Sequence, residues 1–367
     1  MSRVLVAMSG GVDSSVAAAL LLDAGEDVVG VWMRLHDGAD ARSESRRSCC
    51  SVDAADDARR VAGQLGIPFY VLDLKREFEA GIIAPFLAAY LDGETPSPCV
   101  DCNTHVKFGA LLGRARHVYG CEAVATGHYA RIERLAAGDG THRYLLRRGA
   151  DSDKDQGYFL YGLRQDQLAR TRFPLGELEK PEVRSIARRL GLATADKAES
   201  QDICFVPGGD YREALRERGG WRPEPGPVLD RTGAVVGAHA GTAGYTIGQR
   251  GGLGIALGEP RYVSRIDPAT NTIVLGRRED LEMRAVPIEH VSWVDGEPPR
   301  DEVRGTAQVR HRARPVGAVA RRDPDAPAAT RRWIVEMDEP VWAAAPGQAC
   351  VLYAGDVVLG GGRIARA

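Results

Sequence analysis

Two groups of residues in this 367-residue chain could act together in one reaction. The first is Ser9-Gly10-Gly11-Val12-Asp13-Ser14-Ser15, set between the apolar run Val4–Ala7 and the alanine-rich run Val16–Leu22. A strand, a glycine turn and a helix in that order aim backbone N–H groups and the positive end of a helix at one point, and the serines add hydroxyl donors. Such a turn is an anion cradle. A Walker A loop would need Gly-Lys followed by Ser or Thr, and no Gly-Lys dipeptide occurs in the chain. Asp13 inside an anion site calls for an intervening cation, and a Mg²⁺-bound pyrophosphate supplies one. The second group is thiols. Thr95-Pro96-Ser97-Pro98-Cys99-Val100-Asp101-Cys102-Asn103 reads as a proline-stiffened loop carrying Cys-x-x-Cys, and Cys204 lies far downstream in Glu199-Ser200-Gln201-Asp202-Ile203-Cys204-Phe205. Sulfur transfer needs one thiolate to carry sulfur as a persulfide and another to resolve the linkage. Of the other four cysteines, Cys121 and Cys350 lie in apolar runs and read as core, while Cys49 and Cys50 form an incidental pair in a polar loop.

These groups need a scaffold. Residues 1–207 alternate short β-branched runs with helical patterns: strands at Val4–Ala7, Val28–Met33, Phe69–Leu74 and Ala123–Thr126, helices at Val16–Leu22, Ala54–Leu65 and Phe108–Tyr119. That order predicts an α/β domain with a mostly parallel sheet, whose ligands sit at the carboxyl ends of the strands. From residue 208 glycine and proline turns separate short alternating strands, which predicts a small β-rich domain over 208–283 and a β-barrel over 284–367.

Composition excludes some alternatives. Hydrophobic residues make up 44% and charged residues 27%, so a core can be buried without disulfide staples. Seven cysteines, an odd number, argue against a disulfide framework. The N-terminal apolar run is too short for a signal peptide, and no stretch approaches the roughly 20 apolar residues a membrane span needs. A cytoplasmic location is expected. The net charge of -2 is uninformative, but eight arginines between Arg304 and Arg332 predict a basic surface for phosphates.

Ser-Gly-Gly-x-Asp-Ser after a strand resembles the signature of the PP-loop ATP pyrophosphatases, which split ATP between its α and β phosphates. Over nearly its whole length the chain further resembles the tRNA-specific 2-thiouridylase family. The matching segments are Met8–Val16, Thr95–Asn103, Lys107-Phe108, Ala125–Ala130, Lys154-Asp155-Gln156 before Tyr158-Phe159-Leu160, Ser200–Phe205 and Tyr245-Thr246-Ile247-Gly248-Gln249-Arg250. The resemblance implies an enzyme that adenylates O2 of the wobble uridine of tRNA and replaces it with sulfur, with an upstream persulfide relay protein as donor. It implies ATP contacts at Ala7, Met8, Ser9, Gly10, Gly11, Val12, Asp13, Ser14, Met33 and Gly127, and target-base contacts at Ser97, Pro98 and Cys99. Cys102 would be the nucleophile and Cys204 the persulfide carrier. His128, Lys154, Asp155, Gln156, Arg310, His311 and Gln348 would meet tRNA. In one respect the chain departs from the family: Cys99 stands where many members carry aspartate. Cys99, Cys102 and Cys204 could then hold a [4Fe–4S] cluster with one open iron, and the dithiol and cluster routes both stand at this point. Another PP-loop synthetase, adenylating a small molecule, is the alternative.

Overall fold

The computed structural model describes residues 2–36, 52–136, 140–199, 203–255, 258–327, 330 and 332–366. Cys49, Cys50 and the Ser200–Asp202 part of the downstream cysteine segment lie outside them. In chain order the first domain contains β1 (Arg3–Ala7), β2 (Asp27–Arg34), β3 (Phe69–Asp73), β4 (Ala123–Ala125), the hairpin β5 (Ala130–Ala136) and β6 (His142–Arg148), and β7 (Thr171–Arg172). Five of these form a parallel sheet in the order β3-β2-β1-β4-β7. Parallel strands covered on both faces are apolar throughout, and Val4–Ala7 obeys that rule. Val4 and Val6 pack with the helices Val12–Asp23, Val52–Leu65 and Lys180–Arg189, while Leu5 and Ala7 face the helical segments between Lys75 and Tyr119. The sheet grows in both directions from β1, so the β1 and β4 carboxyl ends flank a crevice suited to a ligand.

The central domain is a four-stranded sheet of β8 (Gly226–Leu229), β9 (Val235–His239), β10 (Tyr262–Asp267) and β11 (Thr272–Gly276), ordered β10-β11-β8-β9. The C-terminal strands are β12 (Glu282–Trp293), β13 (Glu302–Gln308), β14 (Val316–Arg322), β15 (Trp333–Trp342), β16 (Ala349–Ala354) and β17 (Val357–Ile364). They close into a barrel through β12 against β17.

Two features depart from the sequence reading. The Cys-x-x-Cys segment is helical, not a loop. Pro98 occupies the first turn of the helix Pro98–Asp101, where its fixed φ is pre-set for helix and its missing N–H costs nothing. The chain then winds as a π-helix over Cys102–Ala110 before returning to α at Leu111. The second is the β5–β6 hairpin, which leaves the first domain and pairs with the barrel, Leu146 opposite Val358 and Arg147 opposite Val357.

Candidate active site

The phosphate loop crosses from β1 to the helix Val12–Asp23 and is held from within. Gly10 has φ of +70°, and a Cβ there would sit 2.2 Å from the Ala54 carbonyl oxygen. No other residue fits both constraints. The Ser14 hydroxyl donates to the Gly11 carbonyl at 3.1 Å and accepts from the Ser9 N–H at 3.1 Å. Ser15 Oγ donates to the same carbonyl at 2.8 Å and accepts from Thr194 at 3.0 Å. From the end of β4, Gly127 passes so close that a Cβ would meet the Asp13 carbonyl carbon at 2.7 Å and the Ser14 nitrogen at 2.8 Å. The two strand ends thus form one crevice.

The cation facing Asp13 is a lysine of the chain itself. Lys180, buried in the first turn of the helix Lys180–Arg189, donates to both Asp13 oxygens at 2.7 and 2.8 Å and forms an ion pair with Glu199 at 2.9 Å. Tyr129 donates to Asp13 Oδ1 at 2.9 Å. Lys154 donates to Glu199 at 2.8 Å, Arg184 lies 3.5 Å from the same carboxylate, and Lys197 bridges the Gly10 carbonyl and Asp57 at 2.9 and 2.6 Å. Four cations therefore ring the loop with three carboxylates as partners. Sequence reading missed Lys180, Arg184, Lys197 and Glu199. Partial burial pushes the Glu199 carboxyl up, but hydrogen bonds from Lys154 and Lys180 and their charges outweigh it and hold the group at about 2. A carboxyl held below its ordinary 4.5 stabilises the fold fully above that value and loses the contribution as pH falls toward about 2. The expected result is a Tm difference between wild type and Glu199→Gln that is constant above pH 4.5 and closes on acidification, measured by thermal melts.

The thiols occupy graded depths. Cys99 is exposed, Cys102 is 8% exposed, and Cys204 is partly buried. Cys102 belongs to the large apolar cluster on one face of the parallel sheet, and Cys204 packs against that same cluster. Cys121 and Cys350 are buried, and burial pushes the Cys350 thiol up to about 12. Asp101, beside Cys102, pairs with Arg363 of β17 at 2.8 Å. Gln348 donates to the Thr95 carbonyl at 2.8 Å, and the Thr95 N–H donates to the Pro346 carbonyl at 2.8 Å, so the barrel steadies the approach to Ser97, Pro98 and Cys99. Met33, at the end of β2, is partly buried against the apolar cluster.

Several residues expected to meet tRNA are committed to internal contacts. His128 is 8% exposed, bonds Thr126 through Nδ1 at 2.6 Å and packs beside Phe108 and Phe173. Burial and then Lys107 hold its pKa well below the ordinary histidine value, so the ring is neutral. Buried Asp155 accepts from Arg148 and from the N–H groups of Gly149 and Gly157, each at 2.9 to 3.0 Å. Gln156 pairs with the Tyr129 backbone in both directions. Arg310 donates to the Ala343 carbonyl and lies 5.3 Å from the Trp342 ring centre. His311 sits against Phe159, ring centres 4.4 Å apart. The basic surface expected between Arg304 and Arg332 is partly neutralised, because four of its eight arginines pair with carboxylates: Arg304 with Glu302, Arg314 with Glu339, Arg321 with Glu302 and Glu336, and Arg332 with Asp323.

Among the described residues no three His, Cys, Asp or Glu side chains gather to hold a metal. Mg²⁺ fits only as a companion of the nucleotide phosphates, since both Asp13 oxygens are taken. No helix among the described residues is long and apolar enough to cross a membrane.

Family models match the chain in three consecutive stretches: a tRNA methyl transferase HUP domain over residues 2–208, a tRNA methyl transferase PRC-barrel domain over 215–277, and an aminomethyltransferase beta-barrel domain over 283–364. The tRNA-specific 2-thiouridylase MnmA of Chloroflexus aurantiacus is 50% identical over 366 residues, spanning 100% of this chain and 99% of its own length. The enzymes of that name from Roseiflexus castenholzii and Moorella thermoacetica are 48% and 49% identical, spanning 100% and 98% of each chain.

Proposed function

The chain belongs to the tRNA-specific 2-thiouridylase family, and from that premise we propose that it works as an ATP-dependent tRNA-uridine 2-sulfurtransferase, with the wobble uridine as its target and Cys102 and Cys204 as its working thiols. The single observation that supports this reading best is the combination of a glycine-serine anion cradle with two thiols on the apolar cluster that covers one face of the same sheet. The methyl transferase label on two of the matching models names a different reaction, for which neither a phosphate loop ringed by lysines nor a pair of thiols has a use.

The residues divide the work as follows. The loop amides, Ser9 and Ser14 receive the ATP phosphates, and Lys180 and Lys197 stand ready to neutralise charge as it moves to pyrophosphate. Mg²⁺ bound with the nucleotide would share that neutralisation. Uridine O2 attacks the α phosphorus, the α–β bridge breaks, and pyrophosphate departs. C2 now carries AMP, a good leaving group. The terminal sulfur of a Cys204 persulfide attacks C2 and AMP leaves. Cys102 thiolate then attacks Cys204 Sγ, releasing thiouridine and leaving a Cys102–Cys204 disulfide, which a dithiol reductant resets. The sulfur arrives from a persulfide-bearing partner protein, and a tRNA substrate is in keeping with a cytoplasmic reaction.

The test is direct. Incubation with ATP, Mg²⁺, unmodified tRNA, a persulfide donor and dithiol should yield 2-thiouridine on nucleoside mass spectrometry, with one AMP per thiouridine. AMP release that ignores tRNA, or adenylation of a small molecule instead, would overturn the assignment.

A further inference from the structure

Asn103 follows Cys102 on the π-helical stretch and is 2% exposed. Its side-chain nitrogen donates to the Phe159 carbonyl at 3.1 Å. A carbonyl only accepts, so the amide nitrogen must face Phe159 and Oδ1 must point away. That oxygen is buried and has no hydrogen-bond partner among the described residues. Keeping such an acceptor unsatisfied is costly, because it has given up its water without gaining a donor. An apolar residue at this position would carry no such orphan, at the loss of the donor to the Phe159 carbonyl, and none of the described residues uses the oxygen.

Position gives it a use. Cys102, the residue before it on the same helical stretch, is itself 8% exposed, so a base that reaches the Cys102 sulfur comes within one residue of Asn103. Uracil carries one ring N–H, at N3, bonded directly to the carbon that exchanges oxygen for sulfur. Cytosine has a bare lone pair at N3. A lone, rigid acceptor therefore welcomes the first base and repels the second, and a site built to satisfy a buried polar atom discriminates far more sharply than an apolar pocket does. The donor half of the amide is tied to Phe159, three residues beyond Gln156, and the Phe159 ring packs on His311. That tie fixes the direction of Oδ1.

We propose that Asn103 is a specificity-determining residue of the thiolation site, its Oδ1 accepting the N3–H of the target uracil; the inference rests on the function assigned above. The experiment is a cycle between one atom of the RNA and one side chain. Anticodon stem-loops carrying uridine or 3-methyluridine at the target position are assayed for RNA-dependent AMP formation with wild type and Asn103→Ala. In wild type the methyl group should lower kcat/KM by roughly 10²-fold or more. In Asn103→Ala the uridine substrate should itself fall by a similar factor while the methyl group costs less than about threefold further. An undiminished methyl penalty in the variant, or full activity of the variant on uridine, overturns the proposal. If wild type forms no AMP with unmodified RNA, the sulfurtransferase assignment itself fails, and the two outcomes are distinct. A second measurement needs no variant. The stem-loop with 4-thiouridine at the target position is photo-crosslinked to wild-type protein and the adduct mapped. An adduct within Cys102–Thr104 is expected, and adducts confined to other segments count against Asn103.

Discussion

Cys204→Ser is expected to lower 2-thiouridine formation by at least about 10⁴-fold while sparing the first half-reaction. A hydroxyl cannot carry a persulfide sulfur, but adenylation of the uridine asks nothing of that sulfur, so a single-turnover burst of pyrophosphate should persist in the presence of tRNA. Cys102→Ser should behave alike for a different reason: sulfur reaches C2, but the linkage to Cys204 is never resolved. In the proposed sequence the two thiols act in series, so the double variant should be no worse than either single one. The measurements are quench-flow release of pyrophosphate alongside mass spectrometry of the RNA. A single variant that still makes thiouridine at a tenth of the wild-type rate would remove that cysteine from the reaction.

Lys180→Met should strike the other half-reaction. The substitution keeps much of the buried stem and deletes the charge that joins Asp13 to Glu199. Two carboxylates at the mouth of the phosphate loop then lose their shared partner, and both oppose an arriving triphosphate. Removing one preorganised charge from a site of this kind costs on the order of 10²–10³ in rate, so kcat/KM for ATP in the pyrophosphate burst should fall by about that much. Breaking a buried ion pair from one side also destabilises the fold by about 3–5 kcal/mol. The companion variant Lys180→Met with Asp13→Asn should recover part of that stability without recovering the burst. Recovery of both would mean that Lys180 serves the fold alone.

The phosphate loop was legible because its logic is contiguous: strand, two glycines, serines and helix occupy neighbouring positions, and each local preference agrees with the others. The barrel and the parallel sheet were legible for the same reason, through alternation and apolar runs. What escaped was non-local. Lys180 and Lys197 look like ordinary helix and turn lysines in sequence, and their meaning comes from Asp13 and Asp57, which the fold brings to them. The arginines between Arg304 and Arg332 looked like a basic face because a linear count does not see Glu302 and Glu336 on neighbouring strands. Asp155 was expected to meet tRNA, and no local pattern shows that Arg148 and two backbone N–H groups close on it. The helical start at Pro98 could have been read, since proline before a short polar run suits a first helical turn as well as a loop. The β5–β6 hairpin hides because its polar, arginine-rich strands bury little, and its partner strand lies at the other end of the chain.

That hairpin has a consequence for how the protein is made. Ribosomal synthesis delivers the first domain early, and domains ordinarily finish folding in that order. Here β6 waits with a bare edge until Val357 and Val358 emerge, and Arg131 and Arg147, which pair meanwhile with Glu177 and Glu133, gain Asp356 as a shared partner only then. An open edge is a template for pairing with another chain. The catalytic half is therefore a nascent liability for most of its translation, and it becomes a finished enzyme only when β17 is delivered.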